Sequence, residues 1–313
     1  MVTARDVREA AAGLAGVVVR TPLRFVEPLN AYLKLESMQP VGAFKLRGAY
    51  TAIRRMSPDA RRNGIITYSS GNHGQAVAYA AQLLGVRAVI VMPETAPAVK
   101  VAGVQKWGAE VVFAGRTSED RQRKAEELAA REDLAIVPPF DHADIVAGQA
   151  TVGLEIGEQL PDVRTVVVPV GGAGLIAGVV TGLAAAGDAN RATVWGVEPV
   201  GAPKLQRSLQ AGRPVRLDRT ASIADGLITL TVGAIPFAQL AAHRDRVAGV
   251  ALVDDEALRD AVHFLWRECR LAVEPSGAAT TAAVRSGAVR PAPVPPTVLV
   301  VSGGNVDRSL LED

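Results

Sequence analysis

Cysteine is almost missing from this chain. Its 313 residues include one, Cys269, so no internal disulfide can form and a reducing compartment, the cytoplasm, is the natural setting. Histidine is scarce as well, at four residues, and no histidine or cysteine stands at metal-ligand spacing, so zinc is not expected. No G-x-S-x-G elbow supports a hydrolase triad. Lysine is the third scarcity: only Lys34, Lys45, Lys100, Lys106, Lys124 and Lys204 occur in a chain rich in arginine. The basic residues form no stripe, and a formal charge of +2 with a pI near 8.8 argues against a nucleic-acid partner. No membrane partner is expected. The one long uncharged stretch, residues 165–187, contains Pro169 and six glycines, and reads as a buried strand, a glycine turn and a packed helix. The N-terminus reads Thr3-Ala4-Arg5-Asp6, a capping-box helix start and not a signal peptide. What is present, 49% hydrophobic and 21% charged residues, describes a folded chain long enough for two medium domains.

Short Val/Ile-rich runs alternate with longer helical patterns, which predicts an α/β protein built from βα units on parallel sheets. Gly64-Ile65-Ile66-Thr67-Tyr68, Arg87 to Met92, Ala109 to Phe113 and Ala135-Ile136-Val137 read as four strands of a small inserted unit. Around it, strands are expected at 165–170, 193–197 and 298–301, with helices at 147–160 and 254–270. Lys34 alternates with its neighbours and reads as an outward-facing residue of a strand. Lys100, Lys106 and Lys124 read as solvated.

A lysine that works as a neutral amine needs apolar surroundings that lower its pKa. Lys45 follows Val41-Gly42-Ala43-Phe44, where the glycine permits a close approach and the phenylalanine desolvates; by itself it would more often be a surface lysine. Val166 to Val170 runs into Gly171-Gly172-Ala173-Gly174 and a helix from Leu175. Small residues there let backbone N–H groups close on a phosphate at a helix N-terminus. The same stretch satisfies a dinucleotide pattern through Gly172, Gly174 and Ala177, with Glu198 ending the next strand, so a nicotinamide-dependent oxidoreductase stays open at this point. Ser69-Ser70-Gly71-Asn72-His73-Gly74-Gln75 offers hydroxyls, an amide and N–H groups at a helix start, suited to a carboxylate.

Taken together and in order, these segments resemble the fold-type II, tryptophan-synthase-β-like family of pyridoxal-phosphate enzymes, with threonine/serine dehydratases and serine racemases the nearest match. Also matching are Leu33-Lys34-Leu35-Glu36, Ala147-Gly148-Gln149, Gly196-Val197-Glu198-Pro199, Ala224-Asp225-Gly226, Val273 to Gly277 and Ser302-Gly303-Gly304-Asn305. The resemblance implies two domains of open twisted sheets flanked by helices, with pyridoxal 5′-phosphate in the interdomain cleft. Residues 1–60 and 145–313 would form the large domain and 61–144 a small mobile one, with no C-terminal regulatory domain. Lys45, beside Phe44, would hold the cofactor as a Schiff base and then act as general base. Gly171, Gly172, Ala173, Gly174 and Leu175 would hold its phosphate, Asn72 its 3′ oxygen and Ser302 its pyridine nitrogen. Ser69, Ser70, Gly71, Asn72 and His73 would grip the substrate carboxylate, with Ser70 also the acid/base on the opposite face.

The implied reaction is dehydration and deamination of a small amino acid, L-threonine or L-serine, to a 2-oxo acid and ammonia in a homodimer. Racemisation and 3-hydroxyaspartate dehydration are its alternatives, and a cofactor-binding protein without turnover is a third class. Three departures stand out: Ala43 where the family has serine, Ala173 within the usual glycines, and Lys204. Metal-dependent members place a glutamate, a backbone carbonyl and an aspartate around a divalent ion. Glu198 and Ala202 match the first two and Lys204 replaces the third, so no metal is expected and the Lys204 ammonium is expected to pair with Glu198.

Overall fold

The computed structural model describes residues 1–312 apart from Ser70, Pro97, 188–189 and 292–295. Ten strands run through the described residues: β1 (Leu23–Val26), β2 (Ala31–Leu35), β3 (Ile65–Thr67), β4 (Ala88–Met92), β5 (Glu110–Phe113), β6 (Ala135–Ile136), β7 (Thr165–Pro169), β8 (Thr193–Pro199), β9 (Val247–Val253) and β10 (Thr297–Val301). The chain divides into two compact units, Met1–Phe44 with Phe140–Asp313, and Lys45–Pro139. The division falls earlier than residue 60 because the helix Lys45–Arg55 packs on the helix Asn72–Leu84 of the second unit.

The larger unit carries a six-stranded sheet in the order β1-β2-β10-β7-β8-β9, parallel except for the β1–β2 pair. Its central strands are apolar on both faces, as strands covered by helices on each side must be: every residue of β10 and residues 166–169 of β7 are buried. The second unit carries a parallel sheet in the order β5-β4-β3-β6. The N-terminal capping box is formed, with Thr3 Oγ1 accepting from Asp6 N and Asp6 accepting from the Thr3 N–H. No helix among the described residues is long and apolar enough to cross a membrane.

Lys34 departs from expectation. It is fully buried, and its Nζ donates to Glu155 Oε2 (2.5 Å), Thr21 O (2.8 Å) and Gln159 Oε1 (3.0 Å). Strand β2 lies inside the sheet, between β1 and β10, so its polar-looking alternation meets a helix and not water. Burying that charge costs free energy unless it is paired, and the helix Ala143–Gln159 supplies the carboxylate.

That helix crosses the helix Gly174–Ala185 on glycines. A Cβ at Gly178 would lie 2.7 Å from Ala150 N, and one at Gly182 would overlap the Ala150 carbonyl. Close backbone approach here fixes where the second helix begins, which is the Gly171–Gly174 turn. Gly182→Val is therefore expected to destabilise the protein by about 2–3 kcal/mol or more through overpacking, read as a lower midpoint of urea unfolding; an unchanged midpoint would show that the helices can part without cost.

Candidate active site

Lys45 opens the helix Lys45–Arg55, and the loop before it is shaped by a second segment. Gly42 sits at φ +72, in the left-handed region, and a side chain there would overlap Asn305 Oδ1. Gly42 O accepts from Gly304 N (2.8 Å), Phe44 N donates to Ser302 O (3.1 Å), and Ala43 and Gly303 form an antiparallel bridge. Asn305 Nδ2 closes the arrangement by donating to Val41 O (2.9 Å). The residues that follow β10 thus template the loop that delivers Lys45. They also place the buried Ser302 opposite Phe44.

The Lys45 Nζ donates to Pro139 O (2.8 Å). Burial penalises its charged form and lowers its pKa from 10.5 to about 8. A carbonyl holds an ammonium more strongly than an amine, but as a dipole it opposes loss of the proton less than a carboxylate would.

His73 lies in the same unit, on the first turn of the helix Asn72–Leu84. Its Nε2 is 3.1 Å from Val137 O. Since a carbonyl can only accept, Nε2 carries the hydrogen. Burial, then the positive charge of Lys45, press its pKa to about 3 against the Val137 bond, so the ring is neutral. The imidazole is thereby committed to the segment that carries Pro139, and only the backbone of His73 is left to meet a carboxylate. Gly71 N donates to Ser69 Oγ (3.4 Å), and a Cβ at Gly74 would overlap Ser69 O, so the turn is tight. Asn72 starts the helix. Ser70 lies outside the described residues.

In the larger unit the glycine turn leaves donors unspent. Among the described residues, nothing accepts from the N–H groups of Gly171, Gly172, Ala173, Gly174 or Leu175, and no side chain caps the helix Gly174–Ala185. Gly172, Ala173, Gly174 and Leu175 are buried. Buried N–H groups without partners are costly, and at a helix N-terminus they make an anion site. Ala173 holds a left-handed conformation at φ 69, which disfavours a residue with a Cβ by roughly 1 kcal/mol or more. A Cβ at Gly172 would run into the Phe140 ring, and Gly172 O accepts from Gly233 N (3.1 Å). Asp141, the next residue, takes the N–H groups of Ala234 and Ile235 (3.1 and 2.8 Å) at the start of another helix. Phe140 and the Pro139 carbonyl were missed at the sequence level; the Pro138-Pro139 pair ending the β6 segment was the available signal.

Glu198 is not available to a ribose. Its buried carboxylate accepts from Lys204 Nζ (3.0 Å), Leu205 N (2.8 Å) and Gln206 N (3.0 Å), which removes the acid that the dinucleotide reading needed.

A family model described as pyridoxal-phosphate dependent enzyme matches residues 14–303. The chain belongs to this family. It is 36% identical to the L-threonine ammonia-lyase of Thermotoga maritima, over all of this chain and 78% of that one. It is 39% identical to the L-threo-3-hydroxyaspartate ammonia-lyase of Saccharomyces cerevisiae, over 87% of this chain and 83% of that one. Among solved structures, maize serine racemase superposes with a TM-score of 0.91 at 34% identity, covering 98% of this chain and 95% of that one. The cofactor of this pyridoxal-phosphate enzyme is therefore pyridoxal 5′-phosphate, and each unit holds residues that fit it: in the larger an unspent N–H cradle at residues 171–175, in the second the half-buried Lys45 with its lowered pKa.

Two pH effects follow. Formation of the bond between Lys45 and added pyridoxal phosphate in apoenzyme is expected to speed up with rising pH around a midpoint near 8; a midpoint near 10.5 would mean a solvated lysine. For His73, the unfolded ring binds its proton near 6.5 and the folded one near 3, so acid favours the unfolded state. The stability that His73 contributes is complete above about pH 6.5 and is lost as pH falls toward 3. Melting temperature should drop over that window, and less steeply in His73→Asn, if the ring is buried as neutral imidazole.

Proposed function

We propose that this enzyme removes water and then ammonia from a small β-hydroxy amino acid, L-threonine or L-serine, giving a 2-oxo acid. The observation that carries the reading is the Lys45 amine, held at Pro139 O with a pKa near 8, on a loop paired with the strand end that bears Ser302. Relatives named as ammonia-lyases support it. When bound, the cofactor would supply an electron sink that makes the substrate Cα proton acidic. Lys45 accepts that proton at Nζ, and hydroxide departs from Cβ with its bonding pair. The released imine takes up water to give ammonia and the oxo acid. Ser302 would meet the cofactor ring with a hydroxyl, a weaker charge partner than a carboxylate, which suits elimination better than transamination. The N–H groups of residues 171–175 would hold the cofactor phosphate, Asn72 its 3′ oxygen, and the turn from Ser69 to His73 the substrate carboxylate. Ser70 would serve as acid/base on the opposite face. A cytoplasmic homodimer belongs to the same reading.

Release of 2-oxo acid and ammonia from L-threonine, L-serine and L-threo-3-hydroxyaspartate, together with D-serine formation, tests the assignment. Threonine or serine should be turned over, and Lys45→Ala should lose at least about 10³-fold in kcat, because a general base and the covalent anchor vanish together. D-serine without oxo acid would move the assignment to a racemase.

A further inference from the structure

Lys204 is as fully buried as any residue in the molecule, and the reaction above gives it no task. Its ammonium has three hydrogens and meets three acceptors: Glu198 Oε1 at 3.0 Å, Val170 O at 3.0 Å and Ala202 O at 3.2 Å. One carboxylate and two carbonyl oxygens converging on a point are the donor set of a hard cation. A divalent ion does not fit there, because the Lys204 nitrogen stands at the centre. The second carboxylate oxygen of Glu198 is occupied by the Gln206 N–H, so the group has no free arm to turn outward.

Val170 is the link to function. It is the last residue before Gly171, its N–H donates to Val197 O (2.8 Å), and its carbonyl takes the Lys204 hydrogen. Both polar groups at the root of the Gly171–Gly174 turn are thus fixed, one by strand β8 and one by a buried charge. The direction in which the following N–H groups point is set by that peptide. We infer that Lys204 is a positioning residue acting as a built-in cation: it fixes the root of the phosphate-holding turn through Val170 O, and it makes the protein independent of any added metal ion. The inference rests on the reading of residues 171–175 as the phosphate cradle. It further requires that, once the ammonium is removed, the same three oxygens can take a small monovalent cation.

Three measurements test this: melting temperature of the holoenzyme, affinity of the apoenzyme for pyridoxal phosphate, and affinity for inorganic phosphate. In the wild type all three should be unchanged by EDTA and by added magnesium. Lys204→Ala should melt lower and bind both ligands at least about tenfold more weakly, the scale of one buried hydrogen bond to a charged group. Ammonium or potassium chloride should restore the loss in a saturable way, and tetramethylammonium chloride at equal ionic strength should not. Should Lys204→Ala fail to fold, Lys204→Gln keeps two donors and nearly the same volume. It should show the same weakened binding, with no rescue because its amide fills the space. A wild type that loses cofactor with EDTA and regains it with magnesium would overturn the inference. So would phosphate affinity in either variant equal to wild type, or rescue by tetramethylammonium as good as by ammonium. A wild type that releases no oxo acid would instead defeat only the proposed reaction, since none of these readouts depends on turnover.

Discussion

The loop that ends at Phe44 owes its place to a short antiparallel pairing made almost wholly by backbone. The Phe44 N–H meets Ser302 O, Gly304 N–H meets Gly42 O, and the Ala43–Gly303 bridge lies between them. Strand β10 sits between β2 and β7 in the middle of a sheet whose register is set by buried valines. The pairing carries that rigidity outward to a loop which would otherwise be free to move. Glycine at 42 is required because the loop turns through φ +72 against the Asn305 side chain. A loop placed by backbone pairing is insensitive to side-chain drift elsewhere, which is what accurate positioning needs.

The same logic governs the Gly171–Gly174 turn. Its N–H groups stay unpaired because the helix Gly174–Ala185 starts abruptly after a left-handed residue, and the helix is held there by its glycine crossing with the helix Ala143–Gln159. Phe140 packs over Gly172, so the turn cannot relax toward its own carbonyls to satisfy the orphaned donors. Packing thereby maintains a local electrostatic cost that binding of an anion offsets. In the second unit Val137 O takes His73 and Pro139 O takes Lys45; in the larger unit Phe140 covers Gly172 and Asp141 caps a helix.

What could be read from the chain was whatever lies within short strings. Lys45 after Gly42 and Phe44, the glycine turn after β7, and the Ser69–Gln75 turn each combine residue type and local element, so each was legible, and the α/β architecture followed from the alternation of runs. Contacts between distant segments were not legible. Asn305 appeared only as part of a matching string, although it braces the Lys45 loop across 264 positions. Strands β1 and β9 were missed because a short amphipathic edge and the glycine-interrupted run Val247–Val253 carry weak patterns. Lys34 was misread for a related reason: alternation announces an exposed face only where nothing packs on that face.

Two of the six lysines, Lys34 and Lys204, are fully buried and Lys45 is half-buried, and their partners differ. At Lys34 and Lys204 a carboxylate stands at hydrogen-bond distance. Such a partner favours the charged form, although at Lys204 burial lowers the pKa on balance. At Lys45 the bond from Nζ goes to a carbonyl, and burial is the cause that moves its pKa to about 8. A dipole stabilises an ammonium far less than a full negative charge does: at Lys204 the Glu198 carboxylate works against the lowering by burial, whereas at Lys45 burial brings the pKa to about 8. A carboxylate placed beside Lys45 would make the site more comfortable and the amine less available.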